Sequence, residues 1–289
     1  MFEVPAHRYT VPFDGKFKVA DALTRAKKNP GRKTNKKKLE EANERLEDLQ
    51  RVLYADDRHS LLLIFQAMDA AGKDSTIRAV FSGVNPAGFQ VSSFKQPSAN
   101  ELDHDFLWRT AQRLPQRGRI GIFNRSYYEE ALVVRVHPEI LDFQRLPHRP
   151  KGQKIWRDRL RSMLDHEAHL ARNGTVVLKF WLNVSREEQK NRFLSRLDEP
   201  HKNWKFSKSD VKERGYWDDY MKAYEAALNA TSKPWAPWFA IPADDKPYMR
   251  RTVAEIVCST LSAMDLRYPE VDEALKSQFD DIRARLVAE

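Results

Sequence analysis

Hydrophobic and polar positions along the chain alternate between two kinds of segment. Short apolar runs predict five buried strands, at 59–66, 89–93, 120–123, 175–182 and 238–241. Between and after them, helical spacing and capping patterns predict helices at 72–82, 98–113, 153–172, from 185 onward, 207–231, 246–265 and 270–287. Strands that alternate with helices are typical of a parallel sheet covered on both faces. The pattern therefore predicts a three-layer α/β fold.

The first 55 residues differ from the rest, because residues 1–35 show no regular period and predict an irregular arm. A helix is predicted to begin near Lys36, with an apolar stripe formed by Leu39, Ala42, Leu46, Leu49 and Leu53. The stripe lasts only two heptads, which favours a docking face over a coiled coil. We divide the chain into a basic arm and helix (1–55), a core (56–266) with a lid at about 186–215, and a C-terminal helix (267–289).

Composition narrows the class of protein. The chain has 289 residues, of which 41% are hydrophobic, so wholesale disorder is excluded. Its longest apolar run, Leu61–Phe65, is far shorter than the roughly 20 residues of a membrane span. The single cysteine, Cys258, and a start without a signal-peptide pattern favour the cytoplasm. The net charge of +9 indicates a polyanionic partner, which could be nucleic acid, anionic lipid or a phosphate-rich small molecule.

A phosphate-binding loop is predicted where the first strand runs into a helix, at residues 66–76. Backbone N–H groups and a lysine, Lys73, are what such a loop uses to bind phosphate. The match to G-x-x-x-x-G-K-[ST] is imperfect, since Ala67 replaces the first glycine and Asp74 replaces the Ser or Thr. The alternative is an ordinary strand–helix turn with a surface lysine. Asp69 within the loop fits bound phosphate only if a divalent cation lies between them, or else it caps the helix.

The end of the strand at 120–123 carries Asn124 and Arg125, and the carboxyl ends of parallel strands form the ligand crevice. Arg125 can bind a phosphoryl oxygen with two hydrogen bonds. Arg135 lies between apolar neighbours, and because an unpaired buried arginine is costly, we expect it to face an anion. The alternative is an arginine that extends to solvent or forms a salt bridge.

Basic residues are concentrated in two segments. The predicted lid contains Arg186, Lys190, Arg192, Arg196, Lys202, Lys205, Lys208, Lys212 and Arg214. In phosphate-loop kinases such a segment closes over the phosphates and excludes water, and we expect Trp204 and Phe206 to anchor it. The arm carries Arg25, Lys27, Lys28, Arg32, Lys33, Lys36, Lys37 and Lys38 without an intervening acid. The alternative for each segment is a solvated charged surface.

Five motifs in one order make the chain resemble the family-2 polyphosphate kinases from about residue 36 to 265. They are Ala67-Met68-Asp69-Ala70-Ala71-Gly72-Lys73-Asp74, Phe94-Lys95-Gln96-Pro97-Ser98, His104-Asp105-Phe106-Leu107-Trp108-Arg109, Phe123-Asn124-Arg125-Ser126 and Trp204-Lys205-Phe206-Ser207. The resemblance implies reversible, Mg²⁺-dependent phosphoryl transfer between inorganic polyphosphate and nucleotides, with Mn²⁺ as a possible substitute. It also implies a fold similar to thymidylate kinase. Asn124 and the residues after it resemble the class III subgroup, which accepts AMP and ADP.

The same resemblance implies roles for individual residues. Asp69 would hold the metal and, with Lys73 and Arg125, would be catalytic. The nucleotide would be bound by Asn124, Arg125, Glu129 and Arg135. Polyphosphate would be bound by Ala70, Ala71, Gly72, Lys73, Asp74, Ser75 and Thr76 in the loop and by Arg196, Lys202, Lys205, Lys208 and Lys212 in the lid. Ser75 departs from the glycine common in relatives, which adds only a hydroxyl group.

Two alternatives stay open on the sequence alone. One is an ATP-dependent nucleoside monophosphate kinase with the same fold, and the other is a basic nucleic-acid-binding protein. We favour the polyphosphate kinase, with polyphosphate and adenine nucleotides as partners. We expect no nucleic-acid or membrane partner, and we expect a homo-oligomer, either a dimer or a tetramer.

Overall fold

A five-stranded sheet forms the centre of the protein in a computed structural model, which describes residues 1–148, 150 and 152–289. The strands are β1 (Ser60–Gln66), β2 (Phe89–Ser93), β3 (Ile120–Asn124), β4 (Thr175–Asn183) and β5 (Trp238–Pro242). Their order is β2-β3-β1-β4-β5, and every neighbouring pair is parallel. Both β1 and β5 are buried along their whole length, as expected for strands covered on two faces. The predicted α/β fold with five parallel strands is confirmed.

Helices cover the sheet on both faces. They are α1 (Arg32–Asp56), α2 (Lys73–Val80), α3 (Ala99–Leu102), α4 (Trp108–Ala111), α5 (Val133–Val136), α6 (Lys154–Arg172), α7 (Arg186–Asp198), α8 (Lys208–Arg214), α9 (Trp217–Thr231), α10 (Lys246–Ala263), α11 (Glu273–Lys276) and α12 (Phe279–Ala288). Short 3-10 helices lie at Val19–Asp21, Pro86–Gly88, Tyr127–Glu130, Pro138–Gln144 and Pro200–Lys205. Helices α1, α2 and α10 pack together, and α6 packs with α9 and β4. In the part of the chain described, no helix is both long and apolar enough to cross a bilayer.

The structure corrects the prediction of one helix over 98–113. Helix α3 ends at Leu102, and α4 begins only at Trp108. Between them the Asp105 carboxylate accepts a hydrogen bond from the Leu107 N–H at 2.9 Å. This local bond offers the backbone an alternative to continuing the helix, which the periodicity does not reveal. The predicted helices at 207–231 and 270–287 are likewise each divided into two.

The N-terminal region is more ordered than the sequence predicts. Helix α1 begins at Arg32, four residues before the predicted start, so five of the eight residues of the basic run are helical. The irregular arm before it packs along β5, where the Val11 N–H donates to the Trp238 carbonyl at 2.8 Å. The Ala240 N–H donates to the Tyr9 carbonyl, also at 2.8 Å. The apolar stripe of α1 docks on α10, as predicted for a docking face. The three-part division of the chain stays a prediction.

Candidate functional site

The site lies where the order of the strands reverses. The connection from β1 to β2 runs toward one edge of the sheet, and the connection from β3 to β4 runs toward the other edge. A crevice therefore opens between the ends of the neighbouring strands β1 and β3. The two ends are level, because Phe65 pairs with Asn124. A cavity of about 1040 Å³ occupies this crevice and extends beneath the lid. The phosphate loop forms one of its walls, and the residues that follow β3 form another.

The phosphate loop turns sharply between β1 and α2. Ala70 and Gly72 adopt left-handed backbone conformations, with φ of 61° and 107° respectively. Gly72 suits this conformation because it has no Cβ, and it precedes α2 without a capping side chain. The first N–H groups of α2 are therefore free of a side-chain cap at the end of the helix that borders the cavity. Such an end attracts anions, so the local structure is that of a phosphate-binding loop.

Lys73 is buried in this loop, with 9% of its surface exposed. Its ammonium group donates a hydrogen bond to the Ala67 carbonyl at 2.9 Å. Burial lowers the pKa of Lys73 to about 8, and repulsion from Arg125 adds to this effect. The carboxylates of Asp69, Glu129 and Asp74 offset the burial only in part, so a bound phosphate would stabilise the charged form further. The hydroxyl groups of Ser75 and Thr76 both donate to the Gly72 carbonyl, at 3.0 and 2.9 Å.

Arg125 connects the end of β3 with the phosphate loop. Its guanidinium group donates to Asp69 at 2.8 Å and to Glu129 at 3.0 Å. The Glu129 carboxylate, together with Asp69, raises the pKa of Arg125 despite its burial. The backbone at Arg125 is left-handed, with φ of 65°, which turns the chain directly after the strand. The structure thus brings Asp69 of the phosphate loop together with Arg125 and Glu129, which follow β3 more than fifty residues later. Asp69 does not cap α2, since its carboxylate faces Arg125.

A buried polar cluster packs against the turn that follows β3 and stabilises it. The hydroxyl groups of Tyr127 and Tyr128 donate to one oxygen of the Glu167 carboxylate, at 2.8 and 2.7 Å. The other oxygen of Glu167 accepts from the ammonium group of Lys179, and both of these side chains are fully buried. Lys179 also donates to the Thr231 carbonyl at 2.7 Å. The cluster fixes the 3-10 turn that begins two residues after Arg125, and periodicity cannot reveal it.

Oxygen donors suited to a divalent cation line the cavity. The carboxylates of Asp69 and Asp74 and the amide of Asn124 all border it, and Asn124 donates to Asp74. Mg²⁺ prefers carboxylate and water oxygens and is commonly bound by one or two carboxylates together with substrate phosphates. The donor set therefore fits Mg²⁺, and the structure adds Asp74 to the oxygen donors of the cavity. That Asp69 holds the metal stays a prediction.

The lid borders the far side of the cavity. Of the predicted polyphosphate-binding residues of the lid, Arg196, Lys202, Lys205 and Lys212 line the cavity, whereas Lys208 does not. The prediction that Trp204 anchors the lid is wrong, since 79% of its surface is exposed. Its indole N–H donates to the His201 carbonyl within the lid, so the ring makes no anchor in the body. Instead, the carboxylate of Glu213 lies 2.9 Å from His137 Nε2 and accepts from the Tyr220 hydroxyl at 2.6 Å.

Two residues of the lid contact the phosphate loop directly: the Gln189 side chain donates to the Asp69 carbonyl at 3.0 Å, and Arg192 makes the larger set of hydrogen bonds. Arg192 is buried, and one of its nitrogens donates to the carbonyls of Ala70 and Ala71 at 3.1 and 2.6 Å. Another donates to the carbonyls of Ala243 and Asp244, at 2.6 and 3.1 Å. Arg192 therefore joins α7, the phosphate loop and the segment after β5. Its position in the sequence places Arg192 in the lid but indicates no role for it in the site.

Arg135 does not line the cavity in the part of the chain described; its guanidinium group donates to Gln153 at 3.0 Å. The structure adds Lys95, Arg109 and Lys246 to the cavity wall. Arg109 is buried, and it donates to the Lys95 carbonyl at 2.7 Å. Two of these three residues belong to the motifs around Phe94 and Trp108. Those motifs are the only feature of the sequence that points to them.

Together the reversed strand order, the loop with its buried lysine and the basic lid define a phosphate-loop kinase-type protein. The Polyphosphate kinase 2 (PPK2) family model matches residues 29–269. The chain belongs to this family.

Known relatives agree with this assignment over most of the chain. The ADP-polyphosphate phosphotransferase of Rhodopseudomonas palustris is 55% identical over 245 residues, which are 84% of this chain and 85% of that protein. The AMP/ADP-polyphosphate phosphotransferase of Meiothermus ruber is 42% identical over 269 residues, or 92% of this chain and 97% of the relative. The crystal structure of Polyphosphate Kinase 2 from Arthrobacter aurescens TC1 superposes with a TM-score of 0.88 at 35% identity. That superposition covers 99% of this chain and 98% of the solved one.

Proposed function

We propose that the protein transfers the terminal phosphoryl group of inorganic polyphosphate to AMP and ADP, forming ADP and ATP reversibly, as a class III enzyme. One observation carries the proposal: a single cavity is lined by the phosphate loop, by Arg125 and by five cations of the lid. A linear polyanion needs such a set of charges leading to one reactive position. The relatives named for ADP and for AMP/ADP support adenine nucleotides as the acceptors.

The roles of the residues follow from their positions. The terminal phosphoryl group of polyphosphate would bind at the N–H groups of 72–76 and the Lys73 ammonium group. Arg125 would hold the acceptor phosphate on the opposite side of the crevice. An oxygen of that phosphate forms a bond to the terminal phosphorus, the bridging P–O bond breaks, and polyphosphate shortened by one unit leaves. A nucleotide phosphate is already ionised at neutral pH, so the step needs alignment and charge neutralisation rather than a general base.

Mg²⁺, with Mn²⁺ as a possible substitute, would be held by Asp69 with help from Asp74 and Asn124. When bound, such a cation neutralises phosphate charge during transfer. The chain's own contribution is to hold Asp69 and Arg125 together at 2.8 Å, so that the metal ligand and the cation for the acceptor occupy fixed positions.

A donor assay tests the proposal. AMP or ADP is supplied with polyphosphate as the only donor, and separately AMP with ATP as the only donor, and the products are resolved by chromatography. We expect ADP and ATP with polyphosphate. Turnover of AMP with ATP alone, and none with polyphosphate, would instead identify an ATP-dependent nucleoside monophosphate kinase. Retention of RNA on filters, undisturbed by added polyphosphate, would favour the nucleic-acid-binding alternative.

We also infer that the protein works in the cytoplasm as a homo-oligomer, either a dimer or a tetramer. The C-terminal helices support the oligomer, because they leave an apolar row exposed: Leu275, Phe279, Ile282 and Leu286. The single buried cysteine is consistent with a reducing compartment. Sedimentation velocity of the whole chain measures the assembly directly, and a monomer at micromolar concentration would contradict it.

A further inference from the structure

A group of cations beside the phosphate loop is not explained by the transfer step. It consists of Arg78 at the end of α2 and Lys246 and Arg250 at the start of α10. Lys246 lines the cavity. Among the described residues none of the three forms an ion pair, and the Nε atom of Arg250 is buried without a hydrogen-bond partner. Unpaired cations that lie close together repel one another, so such a group is unfavourable unless an anion binds there.

These cations lie close enough to repel one another. Burial lowers the pKa of Arg250, and repulsion from Arg78 and Arg192 adds to this. Burial also lowers the pKa of Lys246, with further repulsion from Arg192 and Arg250. Because Arg192 contacts the phosphate loop directly, the group continues outward from the loop along the first turns of α10.

The fold brings the basic arm to the same place. Helices α1 and α10 run parallel, since Arg251 donates to the Asn35 side chain at 3.0 Å and Cys258 to the Ala42 carbonyl at 3.3 Å. The start of the basic run is fixed there too, because the Asp244 N–H donates at 3.0 Å to the carbonyl of Thr24, the residue before Arg25. Both ends of the basic run therefore lie against the beginning of α10.

Helical spacing then distinguishes the cations of α1. The Asn43 side chain donates to the Ala79 carbonyl of α2 at 3.0 Å, which shows that this face of α1 looks toward α2. Arg32 and Lys36 lie eleven and seven residues before Asn43 and so share its face. Both are exposed, and neither forms an ion pair among the described residues. Lys37 points elsewhere and pairs with Glu41.

We propose that polyphosphate longer than the cavity leaves the phosphate loop past Lys246 and Arg250 and continues onto Arg32 and Lys36 of α1. This rests on the proposed function and extends it, since it makes the arm a secondary binding surface that only long chains reach. The protein would therefore prefer long polyphosphate to short polyphosphate, and the arm would determine that preference without contacting the reacting phosphates.

The test compares two variants with the same charge change on the same helix. Arg32→Gln with Lys36→Gln removes the proposed surface, and Lys37→Gln with Lys38→Gln is the matched control. Steady-state kinetics are measured with ADP and either tripolyphosphate or long-chain polyphosphate as donor. With long chains we expect KM to rise about 3- to 10-fold in the Arg32/Lys36 variant and less than twofold in the control. With tripolyphosphate both variants should match the parent protein. The fall of apparent affinity with salt should be less steep for long chains in the Arg32/Lys36 variant alone.

The outcomes separate the two proposals. Equal long-chain KM values in the two variants would overturn the path along α1 and leave the proposed function intact. A rise in KM for tripolyphosphate as large as that for long chains would also overturn it, since the effect would then lie in the cavity. If the parent protein used no polyphosphate of any length, the proposed function itself would fail. Thermal unfolding of each variant checks that α1 remains folded.

Discussion

The ammonium group of Lys73 lies 2.9 Å from the carbonyl oxygen of Ala67, six residues earlier in the same loop. This hydrogen bond holds a buried cation at the end of β1, close to where phosphate would bind. Lys73→Ala should reduce kcat by several orders of magnitude, because the charge that offsets the transferring phosphoryl group is lost. The fold should persist, because burial of a charged lysine destabilises the folded state and its removal relieves that cost. Phosphotransfer and circular dichroism measure the two effects, and near-normal turnover would contradict the role of Lys73.

The same lysine predicts a pH dependence. Its pKa of about 8 lies below the ordinary value, so the free protein loses this charge as pH rises through 8. Only the charged form attracts phosphate, and kcat/KM for polyphosphate should therefore fall above pH 8. Lys73→Arg keeps the charge at all these pH values and should lack this fall, although its maximal rate is lower. A pH profile of kcat/KM for both proteins is the measurement, and identical profiles would assign the fall to another group.

Asp69 and Glu129 share Arg125, which allows their roles to be separated. Asp69→Asn should lower activity and raise the Mg²⁺ concentration needed for half-maximal rate, and excess Mg²⁺ should restore the rate only partly. Glu129→Gln removes the other carboxylate partner of Arg125 and should leave the Mg²⁺ requirement unchanged. Titration of Mg²⁺ at saturating substrates measures both. If the two variants shift the Mg²⁺ requirement equally, Asp69 acts through Arg125 and the metal lies elsewhere.

Arg192 predicts a combined effect on stability and binding. Arg192→Gln removes the hydrogen bonds to the phosphate loop and to the segment after β5, and it should lower the free energy of unfolding by about 2–4 kcal/mol. The loosened loop should also raise KM for polyphosphate more than it lowers kcat. Arg192→Lys should not rescue either property, because one ammonium group cannot bridge both segments. Urea unfolding and kinetics are compared with Glu188→Gln, which removes only the partly exposed ion-pair partner of Arg192. A variant Arg192→Gln indistinguishable from that control would show that the bridge is dispensable.

The buried pair of Glu167 and Lys179 makes a separate prediction about stability. Lys179→Met leaves the Glu167 carboxylate without its cation and should cost about 3–5 kcal/mol of unfolding free energy. Glu167→Gln alone leaves the cation unpaired and should also destabilise. The double variant should lose less than the sum of the two, because no uncompensated charge remains. Urea unfolding of the four proteins gives this coupling energy. If the effects of the two single changes simply add, the coupling energy is zero and the ion pair itself contributes nothing to stability.

Sequence reasoning reached the sheet and the reactive loop because both depend on local patterns. The predicted and observed bounds of β2 agree, and Lys73 and Arg125 lie in one cavity, as their positions after the ends of two parallel strands predict. The misses involve contacts between distant segments. Nothing local distinguishes Arg192, which turns inward to the loop, from Lys208, which does not reach the cavity. Trp204 is a large aromatic residue and was expected to be buried, yet the lid presents it to solvent.

The N-terminal arm has one further consequence, which concerns the solubility of the protein. Strand β5 lies at the edge of the sheet, and an edge strand with free N–H and C=O groups can pair with another molecule and start aggregation. Tyr9 and Val11 occupy those groups on β5, and Val11 is completely buried. The first dozen residues thus shield an edge that could otherwise pair with a strand of another molecule. A chain that lacks these residues should aggregate through intermolecular strand pairing before its activity could be assayed.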